Sequence, residues 1–267
     1  LIDCPLMALL EVRDVSVRFG GIVALDSVSF EVPEGAIVGL IGPNGAGKTT
    51  LFNTISGLYK VDSGDLIFRN KSLLGQASHR IAASGITRTF QNVELWPRMT
   101  VLENVLAGYH SRFQTDYFHF LRAGLRLPGT RRLERDAKVK ALAVMRYLDL
   151  EGLADQPARG HPFGILKKIE LARALVSEPS LLLLDEPAGG LTHEEVDRLA
   201  EQLRRLHADF KVTLLVVEHH MNLVMKVSDR VVVLDFGRVI AAGTPREVQT
   251  NPRVIEAYLG TQQNGAA

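Results

Sequence analysis

Residues Gly42-Pro43-Asn44-Gly45-Ala46-Gly47-Lys48-Thr49 fit the spacing Gly-x-x-x-x-Gly-Lys-Thr. An apolar run, Ala36 to Ile41, precedes them, and a segment of helical pattern that stops at Gly57 follows. Strand, glycine-rich loop and helix in that order point to an α/β core. The glycines let the backbone wrap a phosphate with successive N–H groups turned inward, and the helix N-terminus adds a positive partial charge. In such a loop Lys48 reaches the β- and γ-phosphates and the Thr49 hydroxyl holds Mg²⁺, with Thr50 next in the nucleotide-binding set.

A second piece stands far along the chain, at Leu181-Leu182-Leu183-Leu184-Asp185-Glu186-Pro187. An apolar strand ending in a carboxylate offers a Mg²⁺ ligand, Asp185, and the next side chain, Glu186, can polarise an attacking water as general base. Taken alone, Asp-Glu-Pro is equally an ordinary turn and helix entry. Combined with the loop at Lys48, it reads as the other half of an ATP site.

The rest of the chain supplies a frame for both. Apolar and polar positions alternate over residues 9–41, the mark of antiparallel strands leading into a buried one. Strands are expected at Leu66 to Phe68 and Thr87 to Phe90, and helices between about Thr100 and Leu175, where Pro97, Pro128, Pro157 and Pro162 punctuate the pattern. Strand then alternates with helix: Leu181 to Leu184, His193 to Leu206, Thr213 to Val217, a short helix near Asn222, and Val231 to Leu234. That order implies a parallel sheet covered on both faces. The expected fold is α/β, a P-loop ATPase core with a parallel sheet, an N-terminal antiparallel β subdomain and a helical insertion subdomain. One domain is expected over 7–260, with core and β subdomain at about 7–95 and 178–260 and the helical subdomain at about 96–177; 1–6 and 261–267 read as tails.

Charge and cysteine content narrow the partners. With 31 Lys and Arg against 30 Asp and Glu, the net charge of +1 gives no bulk attraction to nucleic acid. Cys4, the sole cysteine, allows no internal disulfide and fits a reducing compartment. The apolar runs fall short of the roughly 18 to 20 residues that a membrane-spanning helix needs. The opening residues lack the pattern of a signal peptide, and Met7 is the expected start. One stretch, Arg122 to Lys140, carries seven basic residues against two acidic ones; a solvated helix face and a surface near lipid headgroups both fit it.

With these residues in place the chain resembles the ABC transporter ATPases from about Leu9 to Gly260. The resemblance implies an adenine-stacking aromatic at Phe19, within Val17-Arg18-Phe19-Gly20-Gly21, although a buried strand Phe is an equal reading. It implies a lid glutamine at Gln91 that meets Mg²⁺ where membrane subunits dock, and a switch histidine, His219, at the γ-phosphate. Trp96 reads as a core anchor or as part of the docking groove. Ala188-Gly189-Gly190-Leu191 matches the segment through which two ATPase subunits communicate. Thr87-Arg88-Thr89-Phe90-Gln91, Met99-Thr100-Val101-Leu102-Glu103-Asn104-Val105, Glu218-His219 and the ending Val254-Ile255-Glu256-Ala257-Tyr258-Leu259-Gly260 are most similar to the larger ATPase subunit of branched-chain amino acid importers.

The resemblance further implies ATP and Mg²⁺ as cofactors. Its implied partners are a second ATPase subunit (a copy or a relative), two membrane permease subunits and a substrate-binding protein acting through them. It also implies a peripheral place on the cytoplasmic face of the inner membrane. Hydrolysis of ATP to ADP and phosphate would power import of amino acids. The signature segment departs from the family. In His161-Pro162-Phe163-Gly164-Ile165, Gly164 is in place, but Pro162 replaces a Ser and Ile165 a Gln, so a hydroxyl contact to the partner's ATP is lost. Such a loss costs about 1.5–3 kcal/mol. A nucleotide-gated structural subunit with little turnover is the alternative. ATPases of DNA repair or translation carry a long coiled coil or tandem cassettes, and neither is found here.

Overall fold

The computed structural model describes residues 8–89, 94–109, 128–219 and 221–263. The chain divides into two compact units, one running to Ile81 and resuming at Ser180, the other Ala82–Pro179. The first opens with β1 (Ala8–Phe19) and β2 (Ile22–Pro33), an antiparallel pair in which Leu10 faces Val32, Val12 faces Phe30 and Val15 faces Val28. Leu10, Val12, Val15, Val17, Leu25, Val28 and Val32 are buried, while Phe19, Ile22 and Val23 at the hairpin end are exposed. The period-2 pattern breaks between Val12 and Val15, where Asp14 takes a φ of 49° and the pairing shifts; such a bulge keeps apolar residues inward across the break. β3 (Ile37–Ile41) is buried at every position, and α1 (Lys48–Ile55) follows it. β4 (Ser63–Phe68) and β5 (Lys71–Ser72) complete an antiparallel sheet of order β2-β1-β4-β5, and α2 (Ser78–Ala83) reaches the division between units.

The second unit holds β6 (Ile86–Arg88), α3 (Val101–Tyr109), α4 (Pro128–Tyr147) and α5 (Phe163–Leu175). A capping box starts α3: the Thr100 N–H donates to Glu103 and the Glu103 N–H to the Thr100 hydroxyl. Asn104, fully buried, accepts from the Trp96 N–H at 2.9 Å and donates to the Trp96 and Thr100 carbonyls at 3.0 Å, which fixes the approach to the helix. α3 and α5 approach so closely at Gly108 that a Cβ there would lie 1.8 Å from the Arg173 carbonyl oxygen. No larger residue fits this crossing.

The chain re-enters the first unit with β7 (Leu181–Asp185), α6 (His193–Phe210), β8 (Thr213–Val217), α7 (Met221–Val227), β9 (Arg230–Asp235), β10 (Arg238–Gly243), α8 (Pro245–Gln249) and α9 (Pro252–Gln263). The core strands lie in the order β10-β9-β3-β8-β7. β3 runs parallel to β8 and β9, β7 runs parallel to β8, and β10 returns antiparallel to β9. β3, β7 and β8 are buried throughout, which explains their continuous apolar sequences. Capping boxes at Thr192–Glu195 and Thr244–Glu247 start α6 and α8. In the sheet register, Val217 lies beside both Leu40 and Asp185. The carboxyl ends of β3, β8 and β7 therefore stop at one level, the edge where parallel sheets place ligands. Among the described residues no helix is long and apolar enough to cross a membrane.

Candidate active site

The loop after β3 is shaped by backbone. Gly47 caps α1 at a φ of 99° with no side-chain cap, so no side chain competes for the first-turn N–H groups of the helix. A Cβ at Gly47 would lie 2.7 Å from the Ala24 carbonyl oxygen, and one at Gly42 would lie 2.1 Å from that of Leu234. Close backbone approach thus requires glycine at both. The β9–β10 turn braces the loop: the Gly237 N–H donates to the Ala46 carbonyl at 3.0 Å, and the Asp26 N–H donates to the Gly237 carbonyl at 2.8 Å.

Lys48, 7% exposed, folds back over this loop, and its Nζ donates to the carbonyls of Gly42 at 2.6 Å and Pro43 at 2.8 Å. Burial pushes the ammonium's pKa down, while the neighbouring Glu186 and Asp185 carboxylates act the other way. A buried cation hydrogen-bonded to neutral carbonyls is set to exchange them for phosphate oxygens, which bind it more strongly. Thr49 stands exposed and Thr50 half-buried on the same helical turn, with Asn44 and Gly45 at the exposed crest of the loop.

Asp185 ends β7, almost wholly buried. Glu186 follows in the left-handed region at a φ of 47°, held by its N–H donating to the Val217 carbonyl at 2.9 Å and by its carbonyl accepting from the Gly189 N–H at 3.1 Å. A non-glycine residue at positive φ is uncommon and marks a turn whose direction matters. Asp185 is buried, the Glu186 side chain is partly exposed, and both carboxylates act on Lys48. His219 lies just past β8, with Nδ1 3.7 Å from Glu186 Oε1, a span one small rotation or one water can close. Among the described residues no three His, Cys, Asp or Glu side chains gather as a metal cage. A buried carboxylate at the strand end, close enough to Lys48 to act on its charge, instead suits a hard cation that keeps substrate phosphates among its ligands.

Phe19, at the end of β1, is 45% exposed, its ring edge-on to Tyr59 with centroids 5.0 Å apart. It is a surface aromatic and not part of the core. Trp96, also half exposed, lies with its ring under the Arg173 guanidinium at 5.5 Å. Pro162 is the N-cap of α5 and offers no side-chain cap; its carbonyl accepts from the N–H groups of Ile165 and Leu166. Phe163 and Gly164 are exposed at this helix start and Ile165 is half-buried, with Lys167 Nζ 5.4 Å from the Phe163 ring. Gln91 lies outside the described residues.

The model of the ABC transporter family matches residues 25–189, more than half of the chain and inclusive of both the phosphate loop and Asp185-Glu186. The chain belongs to the ABC transporter ATPase family. Beyond that span, residues 238–263 match a model described as branched-chain amino acid ATP-binding cassette transporter. This ABC ATPase is 42% identical over 252 residues to the high-affinity branched-chain amino acid transport ATP-binding protein LivG of Salmonella typhimurium, covering 94% of this chain and 98% of that one. It is 40% identical over 253 residues to BraF of Pseudomonas aeruginosa, which carries the same description, again over 94% and 98%. Among solved structures it resembles a nucleotide-free ATP-binding cassette from an ABC transporter, with a TM-score of 0.80, 31% identity and coverage of 94% and 99%. An ATP-binding cassette in its ADP conformation gives the same TM-score at 30% identity, over 95% and 99%. The chain is thus an ATP-binding subunit of an ABC transporter.

Two contributors to the ABC ATPase site escape motif reading. The Gly237 brace is one; a Phe-Gly turn between two strands was its only sequence signal. The other is Glu218. Its place beside His219 in the sequence assigns it no task, yet it is a fully buried acid at the end of an apolar strand. A buried carboxylate is costly unless hydrogen-bonded, and that cost is the signal that could have singled it out.

Proposed function

We propose that this subunit binds MgATP through Gly42 to Thr50 and hydrolyses it to power import of branched-chain amino acids. The observation that carries this reading is the meeting of Lys48 with Asp185 and Glu186 at the carboxyl ends of β3 and β7. Lys48 and the loop N–H groups hold the β- and γ-phosphates, and Phe19 stacks on adenine. Thr49 and Asp185, with Gln91, would hold Mg²⁺, which neutralises phosphate charge when bound. Glu186 accepts the proton of the attacking water, and His219 donates to the γ-phosphate. The match over 238–263 and the identity to LivG and BraF support the cargo class, and they favour a powered importer over a nucleotide-gated structural subunit.

In this reading the partners are a second ATPase subunit, two permease subunits and a binding protein, with the subunit docked on the cytoplasmic face of the membrane. The exposed Trp96 belongs to the docking side. The open start of α5 at Phe163 and Gly164 completes the ATP site of the other ATPase subunit. Because Pro162 and Ile165 supply no hydroxyl or amide there, that site is the weaker one if the partner is a relative, and both are weakened in a homodimer.

The test is ATP-driven uptake by proteoliposomes holding the complete transporter and its binding protein. Leucine, isoleucine and valine are expected to accumulate with internal MgATP, while glutamate and lysine do not. Accumulation of the charged amino acids in preference would overturn the cargo assignment.

A further inference from the structure

Glu218 follows β8 directly, and its side chain is 0% exposed. Both carboxylate oxygens are engaged by backbone. Oε1 accepts from the Ala188 N–H at 2.6 Å, thirty residues back in the chain, and Oε2 accepts from the His219 N–H at 3.1 Å. The same Oε2 lies 3.9 Å from His219 Nδ1, and the Glu218 N–H donates to the Leu40 carbonyl at 3.3 Å, just ahead of the phosphate loop. Ala188 is itself fully buried, two residues past Glu186, on the turn closed by the Gly189 N–H to the Glu186 carbonyl. One buried group thus ties the turn that carries Glu186, the residue His219 and the strand that feeds the loop.

We propose that Glu218 is a positioning residue for hydrolysis: its carboxylate clamps the Glu186–Gly189 turn to the backbone of His219, so that base and histidine keep one geometry toward the γ-phosphate. Only an acceptor with two oxygens can satisfy both amides. Glutamine has the same shape but turns an N–H toward one of them, and aspartate keeps the charge but is one methylene too short to reach both. A geometry error of about 1 Å at a reacting centre is worth on the order of 10²-fold in rate, although nothing that touches ATP has changed. The inference rests on the roles of Glu186 and His219 given above.

The experiment compares wild type, Glu218→Gln, Glu218→Asp, His219→Ala and the double variant Glu218→Gln/His219→Ala in the complete transporter. Steady-state ATPase rate, MgATP affinity and melting temperature without nucleotide are measured for each. Glu218→Gln is expected to lower kcat about 10- to 100-fold with MgATP affinity within about 2-fold of wild type, and Glu218→Asp to share the defect. In the His219→Ala background the added loss is expected to shrink to less than about 3-fold, because residues that act as a unit are non-additive. A melting temperature that falls while kcat holds would overturn the inference and leave Glu218 a packing residue. Fully multiplicative losses would overturn it too, since Glu218 would then act apart from His219. A wild-type rate for His219→Ala would remove the histidine's role itself, and the inference with it. If Glu218→Gln fails to fold, the comparison is read from Glu218→Asp.

Discussion

Lys48→Ala is expected to weaken MgATP binding by about 100-fold or more, measured by titration of the purified chain, while the fold stays intact. Charge-assisted hydrogen bonds contribute about 1.5–3 kcal/mol each, and 1.4 kcal/mol is a factor of ten, so losing two contacts to the β- and γ-phosphates accounts for the magnitude. The fold should survive because Lys48 is a burden on the free protein. The residue is 7% exposed with its ammonium against the Gly42 and Pro43 carbonyls, and its pKa is pushed down by burial. Removing it relieves that burial cost but also takes a donor from the buried Gly42 and Pro43 carbonyls, so the two effects oppose each other. The melting temperature without nucleotide should therefore change little, and the stabilisation by added MgATP should disappear. Equal binding by wild type and variant would mean that the loop does not hold the phosphates.

Glu186→Gln gives the second large effect, with the opposite signature. ATPase activity in the complete transporter should fall by 10² to 10⁴, the range associated with a general base, with MgATP still bound. Glutamine preserves the shape of a side chain whose backbone at φ 47° is held by Val217 and Gly189, so the turn should persist. It removes the group that accepts the proton and leaves Lys48 and the loop amides untouched. Retained activity would move the base to another residue.

Much of this site is written locally in the chain. The spacing from Gly42 to Thr49 encodes a backbone path that needs glycine at Gly42 and Gly47, where a Cβ would meet the Leu234 and Ala24 carbonyl oxygens. β3, β7 and β8 are readable because strands buried on both faces become continuous apolar runs. Elements at the rim were harder to see. β10 mixes half-buried and exposed positions without alternation, and α8 is five residues long, although Thr244, Pro245 and Glu247 spell its capping box. α9 joins the core through Val254 and Tyr258, which pack with Ile41, Val224 and Val233 from three distant segments. The i, i+4 spacing of Val254 and Tyr258 fits a helix, but the partners they pack against come from segments far away in sequence. Non-locality also hid Glu218, whose partner Ala188 lies on another strand's exit turn. The exposure of Phe19 and Trp96 was undecided in sequence for the same reason, since burial of a lone aromatic depends on neighbours supplied by the fold.

A chain that turns ATP over to do work releases phosphate, and that release is measured with the complete transporter in proteoliposomes. Steady release that rises when the binding protein is loaded with a branched-chain amino acid, and that disappears in Glu186→Gln, is the predicted result. MgATP bound at full occupancy, with release no faster than in Glu186→Gln, would instead make the chain a nucleotide-gated structural subunit.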